Sequence, residues 1–462
     1  MRVFTQRIHL LSAGTIGICF LLTSTAYLAW TYHIMDLAQA PLSDAVTLIV
    51  GYLFQAAGAG LFSLMMRHRE DLAKASVYAA LGLHMLFLAP SVLSGSFVQA
   101  AAFGCAMNLF CGWIAGYYLY RLTCGAAASR SAMTLGVGYS AAIVMSWILS
   151  VIKGGAVYYS GRILIICLIF TIFAVLVIRA DEKQKDEEKE GANLSGNISI
   201  PKETDFRKFL LLAGTLVLVF SIVNSGGFGF PSGDVENGIS VEFSRLFYAA
   251  GLLLAGLVND RNRRHGAICA VIALVIPFLM LAIRGEPVSM MIFWMLSYFT
   301  FGFYSIYRMI LFSDIARGGG GKSLLSLCGF GLLLGRIGDA IGEAFCLMLS
   351  GHFLALIVMT AVLFMAAILL FFRVYQYLYQ PEAKRQRSER EIFNHFSARH
   401  DLSAREREVL RFLLAEKTNQ EIAEELSISE GTVKYHIHNL LQKTSCRNRL
   451  ELLSAFAAEQ DI

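Results

Sequence analysis

Leu402-Ser-Ala-Arg-Glu-Arg-Glu-Val-Leu410, Thr418-Asn-Gln-Glu-Ile-Ala423 and Ile428-Ser-Glu-Gly-Thr-Val-Lys-Tyr-His436 belong to one stretch unlike anything before it in the chain. Ser403 with Glu406, and Thr418 with Glu421, read as capping boxes: a hydroxyl at the N-cap and a carboxylate three residues on. Asn448 with Glu451 offers a third start. Between these starts apolar residues recur at helical spacing: Val409, Leu410, Leu413 and Leu414, then Ile422 and Leu426, then Val433, Ile437, Leu440 and Leu441. Four short helices follow, and Ser427-Ile428-Ser429 is the tight turn that a helix-turn-helix needs between its second and third.

The third helix, about Glu430 to Lys443, turns Val433, Ile437, Leu440 and Leu441 inward. Lys434, Tyr435, His438 and Gln442 are left on the outer face, with Thr432 and His436 at its margins. Donors and a ring on a rod of that width suit base edges and phosphates in a major groove, although a merely solvated face has the same pattern. The three quoted segments resemble the LuxR/NarL-type DNA-binding domain without a gap, and Lys443 and Arg449 match a Lys and an Arg usual there. The resemblance implies that Lys434, Tyr435 and His438 face base edges, that Thr432, His436 and Lys443 lie nearer phosphates, and that the domain pairs as a homodimer on double-stranded promoter DNA. Glu416, Thr444 and Cys446 depart from the family's usual Gly, Leu and Val.

Upstream, the solvent is different. The chain is 56% hydrophobic and 16% charged with 33 Phe, far from an average soluble protein. No Asp, Glu, Lys or Arg occurs between Lys74 and Arg121, between Arg130 and Lys153, or between Glu343 and Arg373. A helix crosses a hydrocarbon core of ~30 Å in ~20 residues. Twelve spans are expected, at about 8–35, 43–66, 73–93, 97–120, 132–152, 157–178, 207–229, 240–259, 266–283, 287–312, 324–349 and 352–376. The first is too long for a signal peptide's apolar region. The expected fold is all-α. A first six-span half (1–178) is followed by a charged, mostly disordered cytoplasmic linker (179–206) and a second six-span half (207–376). A cytoplasmic linker (377–400) then leads to the helix-turn-helix domain (401–462).

Six spans, a long polar loop and six more is the outline of the major facilitator fold, which the chain resembles. With both termini cytoplasmic, nineteen Lys and Arg fall on inner segments and three (Lys153, Arg162, Arg284) on outer loops, as the positive-inside rule asks. Gly256-Leu-Val-Asn-Asp260-Arg261-Asn-Arg-Arg264 is similar to that superfamily's gating-loop signature at Gly256, Asp260, Arg261 and Arg264, with Arg263 replacing its second Gly. In the first half, Leu64 stands where the Asp would fall. The resemblance implies that this loop locks the halves together on the cytoplasmic side.

Ionisable groups inside spans are costly and therefore mark candidate sites. Arg336 and Glu343 share one face of span 11, with Asp339 about 60° away. Arg245, Asn224 and Asn108 come from spans 8, 7 and 4, so all six can line a central cavity holding an anionic or phenolic small molecule. Arg336 with Asp339 is equally a neutralising pair between helices.

Other chemistry is absent from the pattern. The nine cysteines form no Cys-x-x-Cys pair, no metal-ligand cluster or cofactor motif stands out, and the run from Ala316 to Ser323 fails the phosphate-loop signature at its first position. The expectation is a multi-pass protein of a bacterial cell membrane, not an enzyme, whose partners are promoter DNA, the lipid bilayer and a small-molecule ligand. It would be a one-component transcriptional regulator. The alternatives are a secondary transporter with a fused DNA-binding domain, and a membrane part that serves only as an anchor.

Overall fold

The computed structural model describes residues 2–38, 41–125, 130–151, 161–187, 206–228, 241–276, 287–318, 322–349, 352–415 and 417–458. Lys153, Arg284 and Glu416 lie outside them. Among the described residues all regular structure is helical, in two compact units, Met1–Leu378 and Tyr379–Ile462.

In the first unit the helices are α1 (Arg2–Leu37), α2 (Pro41–His68), α3 (Glu70–Leu93), α4 (Phe97–Gly125), α5 (Ser131–Val151) and α6 (Arg162–Glu187). After residues 188–205 come α7 (Phe206–Phe228), α8 (Val241–Arg261), α9 (Arg263–Ala273), α10 (Pro287–Gly318), α11 (Phe330–Met348) and α12 (Phe353–Arg399). A 3₁₀ turn, Lys322–Leu327, precedes α11.

The packing partners repeat under a shift of six helices. α1 packs on α5 as α7 packs on α11, α2 on α4 as α8 on α10, and α3 on α4 as α9 on α10. The contact across the halves obeys the same shift: α5 meets α8, and α11 meets α2. Several of the strongest helix pairings of the first half thus recur in the second. Gly136 and Gly256 permit the close approach of α5 to α8. A Cβ on Gly136 would stand 2.7 Å from the Leu252 carbonyl oxygen, and one on Gly256 would stand 2.9 Å from that of Ala132.

Nine of these twelve helices are long and apolar enough to cross a membrane among the described residues. Twelve spans were expected, and α8, α9 and α10 are the three that fall short. α8 carries Arg245, Asp260 and Arg261, α9 is described over 11 residues and opens on two arginines, and α10 carries Arg308, Asp314 and Arg317. The two most apolar windows, Arg162–Lys183 and Leu354–Gln376, are only 22% buried, whereas the less apolar Leu10–Leu37 and Leu324–Met348 are 61% buried. Burial that falls as apolarity rises is the reverse of what water imposes.

The stretch expected to begin a disordered linker is ordered at its start, because α6 continues to Glu187. Its carboxylates explain why. Asp181 accepts Arg121 Nε at 2.8 Å and Ser12 Oγ at 3.4 Å. Glu182 accepts the hydroxyls of Tyr78 and Tyr117 at 2.7 and 2.8 Å. The second expected linker, 377–400, is likewise helical almost throughout, as the tail of α12.

The second unit holds that tail together with α13 (Ala404–Leu414), α14 (Asn419–Leu426), α15 (Glu430–Lys443) and α16 (Arg449–Ala458). Val409, Leu410, Leu413, Ile422, Val433, Leu440 and Leu452 are fully buried in its core. Phe393 and Phe396, upstream of residue 401, join that core, with the Phe396 ring 5.2 Å from Phe456.

Candidate nucleic-acid interface and buried charge clusters

In the second unit, both expected capping boxes are closed. Ser403 and Thr418 accept from the backbone N–H of Glu406 and Glu421, whose carboxylates return bonds to the N-cap N–H at 2.8 Å each. Ser427 takes a left-handed backbone (φ 52°) that ends α14, and Ser429 then caps α15 through the Thr432 N–H at 3.1 Å. This turn sets the direction of α15 against α14.

α15 presents Lys434, Tyr435 and His438 on one exposed face, with Tyr435 62% exposed. Lys434 is tethered by Glu430 one turn earlier, at 2.9 Å, with both groups exposed. His436 is half-buried with its ring edge-on to Tyr435, and Thr432 bonds Ser429 Oγ at 2.8 Å. Lys443 stands apart: its ammonium donates to Glu406 Oε2 and to the Asp401 carbonyl, both at 2.8 Å. Burial opposes ionisation of Glu406, but Lys443 and the Ser403 N–H outweigh it and hold the carboxyl below its ordinary range. For Glu421 the Thr418 N–H and hydroxyl do the same.

Departures from the family pattern are accommodated. Thr444 donates to the Leu440 carbonyl at 2.7 Å, and Cys446 packs against the core. Arg449 holds the last helix to the first through the Leu413 and Lys417 carbonyls, at 3.4 and 2.9 Å.

The first unit contains a cavity of about 270 Å³ walled by both six-helix halves. Of the six candidate ligand residues, Arg245 and Arg336 line it. Asp339 sits behind Arg336 at 3.3 Å, and buried Asn108 reaches the cavity indirectly, accepting from the lining residue Gln55 at 2.6 Å. Asn224 is buried and Glu343 half-buried, and neither lines it. Sequence reasoning passed over Arg308, which lines the cavity, is 3% exposed and shares Asp339 with Arg336 at 3.5 Å. Its signal was available, since it is a charge inside the expected span 287–312. The rings of Tyr27, Tyr118, Tyr139 and Tyr248, also on the wall, had no such signal.

A second cluster lies where α8 meets α5. Asp260 accepts the N–H groups of Ala132 and Met133 at 3.0 and 2.8 Å, at the positive start of α5. Arg263 bridges Asp260 at 3.0 Å and Asp314 at 2.9 Å and donates to Ser131 Oγ at 2.8 Å. Arg317 donates to the Leu122 and Thr123 carbonyls, each at 2.8 Å, near the negative end of α4. A carboxylate at one helix start and a guanidinium at another's end thus tie the start of α5 and the end of α4 to the second half. Arg263, the substituted position of the loop signature, does the bridging. Arg261 is exposed and Arg264 half-buried. The first-half counterpart Leu64 is 55% exposed.

The family described as bacterial regulatory proteins, luxR family, matches residues 400–456. The chain is 48% identical over 54 residues to the spore germination protein GerE of Bacillus subtilis (strain 168), covering 12% of this chain and 73% of that protein. It is 41% identical over 59 residues to the transcriptional regulatory protein DesR of the same organism, and 46% over 50 residues to the putative HTH-type transcriptional regulator YhjB of Escherichia coli (strain K12). Those matches cover 30% and 25% of the two relatives and 13% and 11% of this chain. The family match takes in both closed capping boxes and the exposed helix just described. Through residues 400–456, the chain belongs to the luxR family of bacterial regulatory proteins.

Proposed function

We propose that the chain is a membrane-anchored, one-component transcriptional regulator. Residues 1–178 and 207–376 form the two halves of a twelve-span bundle resembling the major facilitator transporters, with both termini in the cytoplasm. Residues 401–462 bind promoter DNA as a homodimer. A small molecule enters the central cavity, and its preference for one arrangement of the halves is relayed to the DNA-binding domain. Shifting a 1:99 population to 99:1 takes a preference of about 5.5 kcal/mol.

The observation that carries this reading is the cavity shared by two related halves, with guanidiniums buried at its wall, in a chain that also holds a LuxR-type domain. The Asp260, Arg263, Asp314 and Arg317 cluster supplies a latch: it ties the halves at one place and must break if they separate there. Lys434, Tyr435 and His438 read base edges, and Thr432 and His436 lie beside the phosphates. Lys443 acts first inside the domain, through Glu406, and reaches a phosphate only by sharing its ammonium.

Gel shifts with the full chain in nanodiscs test the DNA half. Lys434→Ala is expected to weaken the cognate operator by about 1–3 kcal/mol and to relax specificity at one base pair. Cognate affinity equal to wild type would sink the assignment of the recognition face. A reporter driven by the cognate promoter tests the sensor half, with Arg317→Ala expected to change basal output by loosening the latch.

The recurrence of helix pairings between the halves also favours a second reading, a secondary transporter with a fused regulatory domain. Saturable uptake into proteoliposomes, abolished by Arg336→Ala, would favour it over a pure sensor.

A further inference from the structure

The cavity has loosely held guanidiniums, two of them sharing one carboxylate. Arg245, Arg308 and Arg336 reach its wall. Arg308 and Arg336 share one oxygen of Asp339, at 3.5 and 3.3 Å, longer than the ~2.7–2.9 Å of a well-formed charge-assisted bond. The Nε atoms of Arg308 and Arg336 are both buried without a hydrogen-bond partner. An orphaned buried donor on a charged group is costly, and an oxyanion is the acceptor that best fits a guanidinium fork.

Eight of the other lining residues carry rings, beside small, polar and aliphatic ones. Phe20 stacks on Tyr139 at 4.0 Å, and Tyr118 meets Tyr139 hydroxyl to hydroxyl at 2.7 Å. Arg336 lies 5.1 Å over Tyr52. The volume, about 270 Å³, sits just below the ~300 Å³ lower end of small-molecule sites. That suits one ring with a short substituent rather than a nucleotide.

We infer that the cavity takes a small aromatic carboxylate, its carboxylate answering the unpartnered edges of Arg308 and Arg336 and its ring lying among Phe20, Tyr118, Tyr139 and Tyr248. This rests on the reading of the cavity as the sensor's ligand site. The loosely shared Asp339 and the unpartnered Nε atoms select an anion, the fork geometry selects a carboxylate, and the stacked rings select a planar body.

The test uses the full chain in nanodiscs, with benzoate and 4-hydroxybenzoate as probes and benzamide, benzylamine and acetate as comparisons. Calorimetry and quenching of Trp147, on the cavity wall, read binding. Benzoate or its hydroxylated analogue should saturate, with benzamide and benzylamine at least tenfold weaker. Arg336→Lys, which keeps the charge and loses the fork, should weaken the carboxylate at least tenfold while the melting temperature stays near wild type. Arg179→Gln, exposed on α6 and outside the cavity, should leave binding unchanged. Benzylamine or benzamide binding as tightly as benzoate would overturn the inference, as would the absence of aromatic carboxylate binding at millimolar concentration. Ala115→Phe, which fills the cavity, separates this from the regulator proposal. If reporter output responds to Ala115→Phe but no carboxylate binds, the ligand class alone fails. If output ignores Ala115→Phe, the sensing proposal fails whatever binds.

Discussion

The two units of this chain place apolar side chains in opposite ways. Up to Leu378, outward-facing leucines, isoleucines and phenylalanines are common: on α6 alone, Ile165, Leu168, Ile172, Phe173 and Leu176 are each at least half exposed. In the second unit, Tyr435 and Leu450 are the exposed large hydrophobics among the described residues. Polar groups reverse the pattern. The first unit buries Arg121, Arg263, Arg308 and Arg317 together with Asp181, Asp314 and Asp339. The second keeps most of its charge outside and buries Glu406 against Lys443. A single rule covers both: each surface matches its solvent, and a charge that cannot reach water must find a partner. The difference therefore teaches which solvent each unit was built for, and it marks Tyr435 and Leu450 as the positions where the second unit breaks its own rule.

Asp339 gives the largest expected effect on that contrast. Removing it as Asp339→Ala leaves Arg308 and Arg336 without the carboxylate they share, and breaking a buried pair costs about 3–5 kcal/mol. Thermal inactivation and membrane abundance of the full chain should fall accordingly. Wild-type stability would mean that the two guanidiniums reach water and that the first unit's interior is not dry.

The next test breaks the comparison directly. Leu176→Arg puts a charge on the outward face of α6, where lipid contact costs roughly 2.5–3.5 kcal/mol at mid-helix. Leu450→Arg puts the same charge on the exposed face of α16 and should leave folding within about 0.5 kcal/mol. Equal tolerance at both sites would refute the membrane reading of α6. If α16 pairs two copies on DNA, Leu450→Arg should also halve the apparent mass of the DNA complex at fixed concentration.

A smaller effect is one of pH. Lys443 and the Ser403 N–H hold Glu406 below its ordinary range, so its contribution is complete above the unfolded carboxylate value of about 4.3. It is lost as pH falls through the lower folded value. Acid unfolding followed on the full chain by a probe in residues 379–462 should show a midpoint that Glu406→Gln makes less pH-dependent. An unaltered pH profile would show that another carboxylate governs acid stability there.

Ser427 gives the smallest. Its left-handed backbone favours Gly, so Ser427→Gly should be neutral or stabilise by up to about 1 kcal/mol, whereas Ser427→Val should destabilise. If Val is tolerated as well as Gly, the turn relaxes to another conformation.

Much of the second unit was legible in its residues because its causes are local. Capping pairs, the Ser427 turn and the 3.6-residue spacing of Val433, Ile437 and Leu440 act over three to seven positions, a range at which sequence and structure coincide. The core's upstream members were less so, since Phe393 and Phe396 meet Phe456 across more than fifty residues. In the first unit, apolar runs separated by charge marked where helices lie, and Arg245 and Arg336 were found as cavity residues from their position within spans.

Partners were the part that only the tertiary structure could decide. Chain order alone does not say that Arg308 shares Asp339 with Arg336, that Arg121 orders the start of an expected linker through Asp181, or that Lys443 turns to Glu406. Nor does it say that Arg263, which replaces a Gly of the loop signature, bridges two aspartates. A buried charge is stabilised by whichever opposite group lies within about 4 Å, and that group is chosen by how helices cross. By itself the sequence determined the class of each unit, helical and apolar or helical and DNA-binding, because solvent preference and helix periodicity belong to each segment alone. The pairing of charges, the cavity and the contact between halves came from packing, because those distances exist only once helices far apart in the chain are brought side by side.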